Sequence, residues 1–241
     1  MAHGRRRACA AAAAGLLGLL GTRGAHGDGA PAPVLTLPFD GVWGVLQGFD
    51  GDTHHGYAAY AIDFAPPQDV GAFARLAHPQ LRDFACYGRP VLAPADGRVV
   101  RVATRFPDLP PYAREPKRRP RLAKTETLGG NFVIIQHAPH VFTELVHLQA
   151  GSVRVTVGQT VRRGERVGAC GNSGNARTPH LHLGLLSSID PIATARMPLA
   201  GYEVRGADGR WTPGDGEPRT GQWVRPTATS TPTGSSQSSG R

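Results

Sequence analysis

Cysteine is scarce in this 241-residue chain: there are three, and Cys9 sits in an N-terminal apolar stretch, leaving only Cys86 and Cys170 in the body. Two cysteines exclude a disulfide-dense scaffold and a four-cysteine zinc site, so stability has to come from an apolar core. Long hydrophobic runs are also missing. The stretch Ala8 to Leu20 falls well short of the roughly 20 residues that a membrane-spanning helix needs. Acidic residues are the minority, 18 against 27 Lys and Arg, and charged residues of both signs make up only 19%. No His-Glu-x-x-His occurs, which excludes the helical zinc-peptidase solution. The turn Gly171-Asn172-Ser173-Gly174-Asn175 lacks the lysine and following helix of a phosphate loop, and Ser173 lacks the surroundings of a nucleophile elbow.

Glycine and proline are plentiful, 32 and 21, and they separate short apolar runs. That punctuation predicts many short strands. They are expected at Gly97 to Thr104, Asn131 to His137, Thr143 to Leu148, Arg154 to Val157, Arg166 to Ala169 and His180 to Leu185, with a short helix near Gly71 to His78. The fold class is therefore mainly β: an antiparallel sheet, sandwich-like or closing toward a barrel, with few helices and the site on its concave face.

Three segments carry candidate chemistry. In Thr178-Pro179-His180-Leu181-His182-Leu183-Gly184, strand alternation projects His180 and His182 to one face and the leucines to the other. In Tyr60-Ala61-Ile62-Asp63-Phe64 a single acid stands in an apolar strand, where it is costly to bury unless paired or bound to a cation. His147 ends a third strand-like run. Two imidazoles and one carboxylate with a fourth position open make a catalytic rather than a closed zinc set. His78, His137 and His140 read as solvated loop residues beside Pro79 or Pro139. Asn131 reads either as orienting a substrate or neighbouring loop, or as a turn residue opening a strand.

The order of motifs resembles a known family. His54-His55-Gly56, the strand ending in Asp63, Pro90 to Val100, Gly130 to His137, His147-Leu148, Val157 to Gly168 and Gly171 to Gly174 leading into His180-Leu181-His182 are similar to the lysostaphin and LytM type of zinc metallopeptidase, family M23, which cuts peptidoglycan cross-links. The resemblance implies that His54, Asp63 and His182 bind Zn2+, and that His147 and His180 handle charge and protons beside it. The family's usual first motif is His-x-x-x-Asp, whereas His54 lies nine residues before Asp63, so His55 is the alternative ligand.

Residues 1–27 read as a secretory signal, with Arg5-Arg6-Arg7, the apolar stretch and small residues near Ala25. This implies export to the periplasm, cell wall or medium, with no transmembrane span. Then follow a linker (28–41), the M23-like domain (42–200) with a basic, Pro-rich insertion (105–125), a C-terminal extension (201–225) and a disordered Ser/Thr/Pro tail (226–241). In an oxidising compartment Cys86 and Cys170 are expected to form a disulfide, two separate buried thiols being the alternative.

The implied function is zinc-dependent hydrolysis of peptidoglycan peptides by a monomer. A catalytically inactive module that binds the wall or regulates other hydrolases is the alternative from another class. Nucleic acid is not expected as a partner, because no aromatic or helical reading element accompanies the positive charge. The chain's +9 includes four arginines in residues 1–27, and the remaining +5 equals the net charge of residues 114–124. Anionic envelope polymers fit that insertion. Replacing Lys117, Arg118, Arg119 and Arg121 with serine should weaken sacculus binding and remove its salt dependence, while cleavage of a short soluble peptide stays nearly constant. Equal loss of both activities would contradict a targeting role.

Overall fold

The computed structural model describes residues 33–49, 54, 59–71, 78–113, 128–189, 192–214 and 216–228. The expected signal segment, most of the expected helix near Gly71, His55, the basic residues between Arg114 and Lys124 and most of the tail lie outside the described residues. Among the described residues no helix is long and apolar enough to cross a membrane.

Thirteen strands dominate the described residues. They are β1 (Trp43–Gln47), β2 (Ala61–Ala65), β3 (Pro90–Leu92), β4 (Gly97–Ala103), β5 (Phe132–Ala138), β6 (Val141–Val146) and β7 (Thr160–Val161). There follow β8 (Arg166–Ala169), β9 (Leu181–Ile189), β10 (Ile192–Thr194), β11 (Tyr202–Arg205), β12 (Trp211–Pro213) and β13 (Trp223–Pro226). Eleven form one sheet in the order β12-β11-β13-β1-β2-β9-β6-β5-β4-β7, with β10 hairpinned onto β9, and β3 pairs with β8. Each pairing is antiparallel.

Alternation sorts the sheet into two faces. Ile62, Phe64, Val99, Val133, Ile135, Leu145, Leu181, Leu183 and Leu185 pack with Val91 and Val167 of the small sheet into the main core. The other face carries Asp63, His182 and Glu144 among a smaller apolar cluster of Phe132, Ile134, Phe142, Val146 and Leu186. The expected mainly β, antiparallel architecture is what the chain adopts.

Two local expectations are corrected. Arg154 to Val157 forms no strand: Arg154 N–H donates to the Val167 carbonyl at 3.0 Å, and the turn from Thr156 to Gln159 then ends the ladder. The alternating valines reflect one buried contact, Val155, followed by Val157 at 63% exposure. His137 is not a solvated loop residue. It lies in β5 with Nδ1 2.8 Å from the Asp96 carbonyl and Nε2 2.8 Å from Thr143 Oγ1. In the C-terminal extension, β11 to β13 continue the large sheet past β1 through the Trp43↔Val224 and Gly44↔Trp223 pairs.

Cys86 and Cys170 are disulfide-bonded and 84 residues apart in sequence. The bridge ties the segment before β3 to the turn before β9, where Gly88 N–H also donates to the Cys170 carbonyl at 2.8 Å. Closing a loop of this length contributes up to about 4 kcal/mol in the chain-entropy model. Reduction, or Cys86→Ala with Cys170→Ala, should lower the urea midpoint accordingly. An unchanged midpoint would show that the bridge adds no stability.

Candidate metal centre

The centre is assembled by the pairing of β2 with β9, which sets Asp63 directly opposite His182. Ile62, Phe64, Leu181 and Leu183 are fully buried on the far face, so both polar side chains are turned the same way. His182 Nδ1 lies 2.9 Å from Asp63 Oδ1, and His54 Nε2 lies 3.2 Å from Asp63 Oδ2. One donor atom each from His54, Asp63 and His182 falls within 4.8 Å of the others. His180, two residues before His182, places Nε2 3.6 Å from Asp63 Oδ1.

Hydrogen bonds to carbonyls settle which ring nitrogens face the site. A carbonyl can only accept, so a ring nitrogen facing one carries the proton. His54 Nδ1 donates to the Ala61 carbonyl at 3.1 Å, His147 Nδ1 to Ser173 at 2.9 Å, and His180 Nδ1 to Thr178 at 2.8 Å. In the neutral rings Nε2 is then left as the lone-pair nitrogen. For His54 this is the form a metal ligand requires, held by an outer hydrogen bond.

Electrostatics separate the roles. Burial pushes the Asp63 carboxyl up, but the facing charge of His180 and the hydrogen bonds from His182 and His54 outweigh it and hold it well below the usual carboxylate range. His147 is driven well below the ordinary histidine value by burial and then by His180 and His182, against the weaker pull of Asp63 and the Ser173 bond. Its ring stands 4.8 Å from that of His180 and 5.8 Å from that of His182, centroid to centroid. An ionised carboxylate facing His54 Nε2 and His182 Nδ1 is a donor set that fits zinc once those two nitrogens give up their protons as the ion approaches, leaving His147 and His180 beside it.

His147 is held by a polar network that sequence reading missed in part. It follows the end of β6 in a left-handed conformation, φ 61°, which is uncommon for a residue with a side chain. Its N–H donates to Gly129 O at 3.1 Å, and Leu148 N–H donates to Asn131 O at 2.9 Å. The buried Asn131 side chain receives Phe106 N–H at 2.9 Å and donates to Phe106 O at 2.8 Å and Leu148 O at 3.1 Å. Ser173 Oγ accepts from Asn131 N–H at 2.9 Å and donates to Leu148 O at 2.8 Å. Asp108 accepts from Asn172 N–H, the Tyr87 hydroxyl and Ala150 N–H. Of the two readings of Asn131, this geometry fits the one in which it orients a neighbouring loop. Gly130 and Gly174 lie so close that a Cβ on either would come within 2.5 Å of the other's backbone nitrogen, so both must be glycine.

Residues 80–193 match the model described as Peptidase family M23. Over that span the chain is similar to an M23 peptidase domain. The matched span contains His147, His180 and His182, while His54 and Asp63 precede it. The peptidoglycan DD-endopeptidase ShyA of Vibrio cholerae serotype O1 is 29% identical over 178 residues, 73% of this chain and 33% of that protein. ShyB of the same organism, also named a peptidoglycan DD-endopeptidase, is 28% identical over 147 residues, 60% of this chain and 29% of that protein. The chain thus spans about a third of the length of the curated relatives it matches. A crystal structure of a zinc-containing peptidase from Vibrio cholerae aligns with a TM-score of 0.40 at 22% identity, covering 63% of this chain and 36% of that one.

The buried network behind His147 supplies a direct test. Asn131→Ala would leave Phe106 N–H and C=O without their partner, a loss of about 3 kcal/mol at the usual cost of orphaned buried groups. Urea unfolding should show it, and a change near zero would mean that the network adds nothing.

Proposed function

We propose that this chain is an exported, zinc-dependent endopeptidase that hydrolyses peptide bonds in peptidoglycan cross-links. The observation that carries the proposal is the gathering of His54, Asp63 and His182 within 4.8 Å, with His147 and His180 alongside, in a chain similar to an M23 domain. Retention of all five side chains favours an enzyme over an inactive binding module. The relatives named as peptidoglycan DD-endopeptidases support the substrate class, and that substrate together with the signal-like residues 1–27 supports export.

His54, Asp63 and His182 would hold the ion, through His54 Nε2, an Asp63 oxygen and His182 Nδ1. Bound zinc supplies Lewis acidity, polarising the scissile carbonyl and making water acidic enough to attack near neutral pH. The chain's own groups manage the protons. His147, kept neutral by burial, and His180 each have Nδ1–H tied to a carbonyl, so each offers Nε2 to the site. Together they take the proton released by the attacking water and return one to the departing amine, and in protonated form they stabilise the oxyanion.

The roles separate by metal content. His54→Ala and His182→Ala should lose zinc, whereas His147→Ala and His180→Ala should retain it and lose turnover by about 10²- to 10⁴-fold, the usual range for general acid–base groups. Elemental analysis beside digestion of purified sacculi, with and without chelator, checks both. Loss of zinc in His147→Ala would make that residue a ligand, and sacculi left intact by the zinc-loaded chain would refute the substrate assignment.

A further inference from the structure

A second buried carboxylate lies on the site-bearing face, and the chemistry above does not use it. Glu144 stands in the middle of β6 at 6% exposure, among Phe132, Ile134, Phe142, Val146 and Leu186. It is opposite Gly184 of β9 and Ile134 of β5. Its carboxylate leans toward β9, because a Cβ added to Gly184 would meet Glu144 Oε2 at 3.4 Å. The side chain therefore occupies the space that Gly184 leaves open. Gly184 lies two residues beyond His182, about 6.6 Å along an extended strand.

Among the described residues no hydrogen bond or ion pair reaches the Glu144 carboxylate, and Arg101 acts on it only through its field. Burial pushes it up to about 7, although the field of Arg101 pulls the other way. Its oxygens are not among the fully enclosed side-chain atoms that lack a partner, so they open to solvent and a ligand can reach them, and a largely desolvated carboxylate with this access signals a partner that arrives with a ligand. We propose that Glu144 is a specificity site that receives a primary ammonium group of the substrate peptide, within about two residues of the scissile bond at extended-chain spacing. The inference rests on the peptidase reading. The ligand must be cationic and donate hydrogen bonds, and it must carry its charge on a stem slim enough to pass the surrounding apolar side chains.

The test uses pentapeptides in which lysine, Nε-acetyl-lysine or norleucine is scanned through each position, with the zinc-loaded chain and its Glu144→Gln variant. Hydrolysis rates and calorimetric binding are both measured. At one position lysine should be preferred over both neutral residues by about tenfold, the ratio that one charge-assisted hydrogen bond supplies. In Glu144→Gln that ratio should fall to within about twofold of unity, the loss expected once the charged partner is removed. The same preference in the variant, or equal handling of all three residues by the wild type, would overturn the assignment. The wild-type series does not depend on any variant folding. Binding with lysine preference but no hydrolysis would sink the peptidase reading and leave the ammonium site standing.

Discussion

The registration of β2 against β9 is the constraint on which the centre depends. A strand's side chains alternate, so a slip of one residue would send Asp63 into the main core and bring Ile62 and Phe64 out onto the site face. What prevents the slip is apolar. Ile62, Phe64, Leu181 and Leu183 are fully buried on the face opposite the imidazoles. Each contributes roughly 1.5–3 kcal/mol by leaving water. The polar cluster is therefore aligned by a core it does not belong to, and the carboxylate–imidazole contacts come into register without having to align themselves.

His147 poses a different problem, because it lies beyond the end of its strand and no ladder can hold it. A left-handed backbone at a residue with a side chain persists only where the surroundings over-determine it. Here they do. The carbonyls of Gly129 and Asn131 take the N–H groups of His147 and Leu148, the Ser173 carbonyl takes the imidazole proton, and Asn131 and Ser173 close the network from behind. The disulfide and Asp108 brace the same turn from outside. The result is a neutral imidazole in a fixed tautomer, a state that free histidine at neutral pH only partly populates.

What could be read from the sequence follows the range of the interactions involved. The segments around Asp63 and His182 were legible because alternation is local: one acid in an apolar run, and two histidines in phase with two leucines. The network behind His147 was only hinted at. Asn131 and Ser173 meet across 42 residues, and Asn172 and Asp108 across 64, so no window of sequence holds both partners. Arg154 to Val157 misled for the converse reason, since its alternating valines have the local pattern of a strand without a neighbour to pair with over its length. Strands β11 to β13 escaped notice because they are three or four residues long, with charge in β11 and β13, and their place is set by β1, far away in the chain. His137 was misjudged through its neighbour Pro139. Its partners Asp96 and Thr143 belong to other segments.

Asp63 and Glu144 set the two fates of a buried carboxylate side by side on one face of one sheet. Both lose hydration, and in both that loss alone would favour the neutral acid. Asp63 meets three imidazoles within 3.6 Å and stays ionised. Glu144 meets apolar side chains and the bare backbone of Gly184, with its nearest compensating charge acting only as a field from Arg101. Replacing a buried carboxylate with a well-packed apolar residue is often neutral or stabilising, so packing alone gives no reason for an acid at position 144. The neighbouring strands put its charge one strand spacing from β9, on the face that carries His180 and His182. A peptide lying along that face would bring its own donors past Glu144, and only with such a group in place would the second carboxylate be compensated as the first one is.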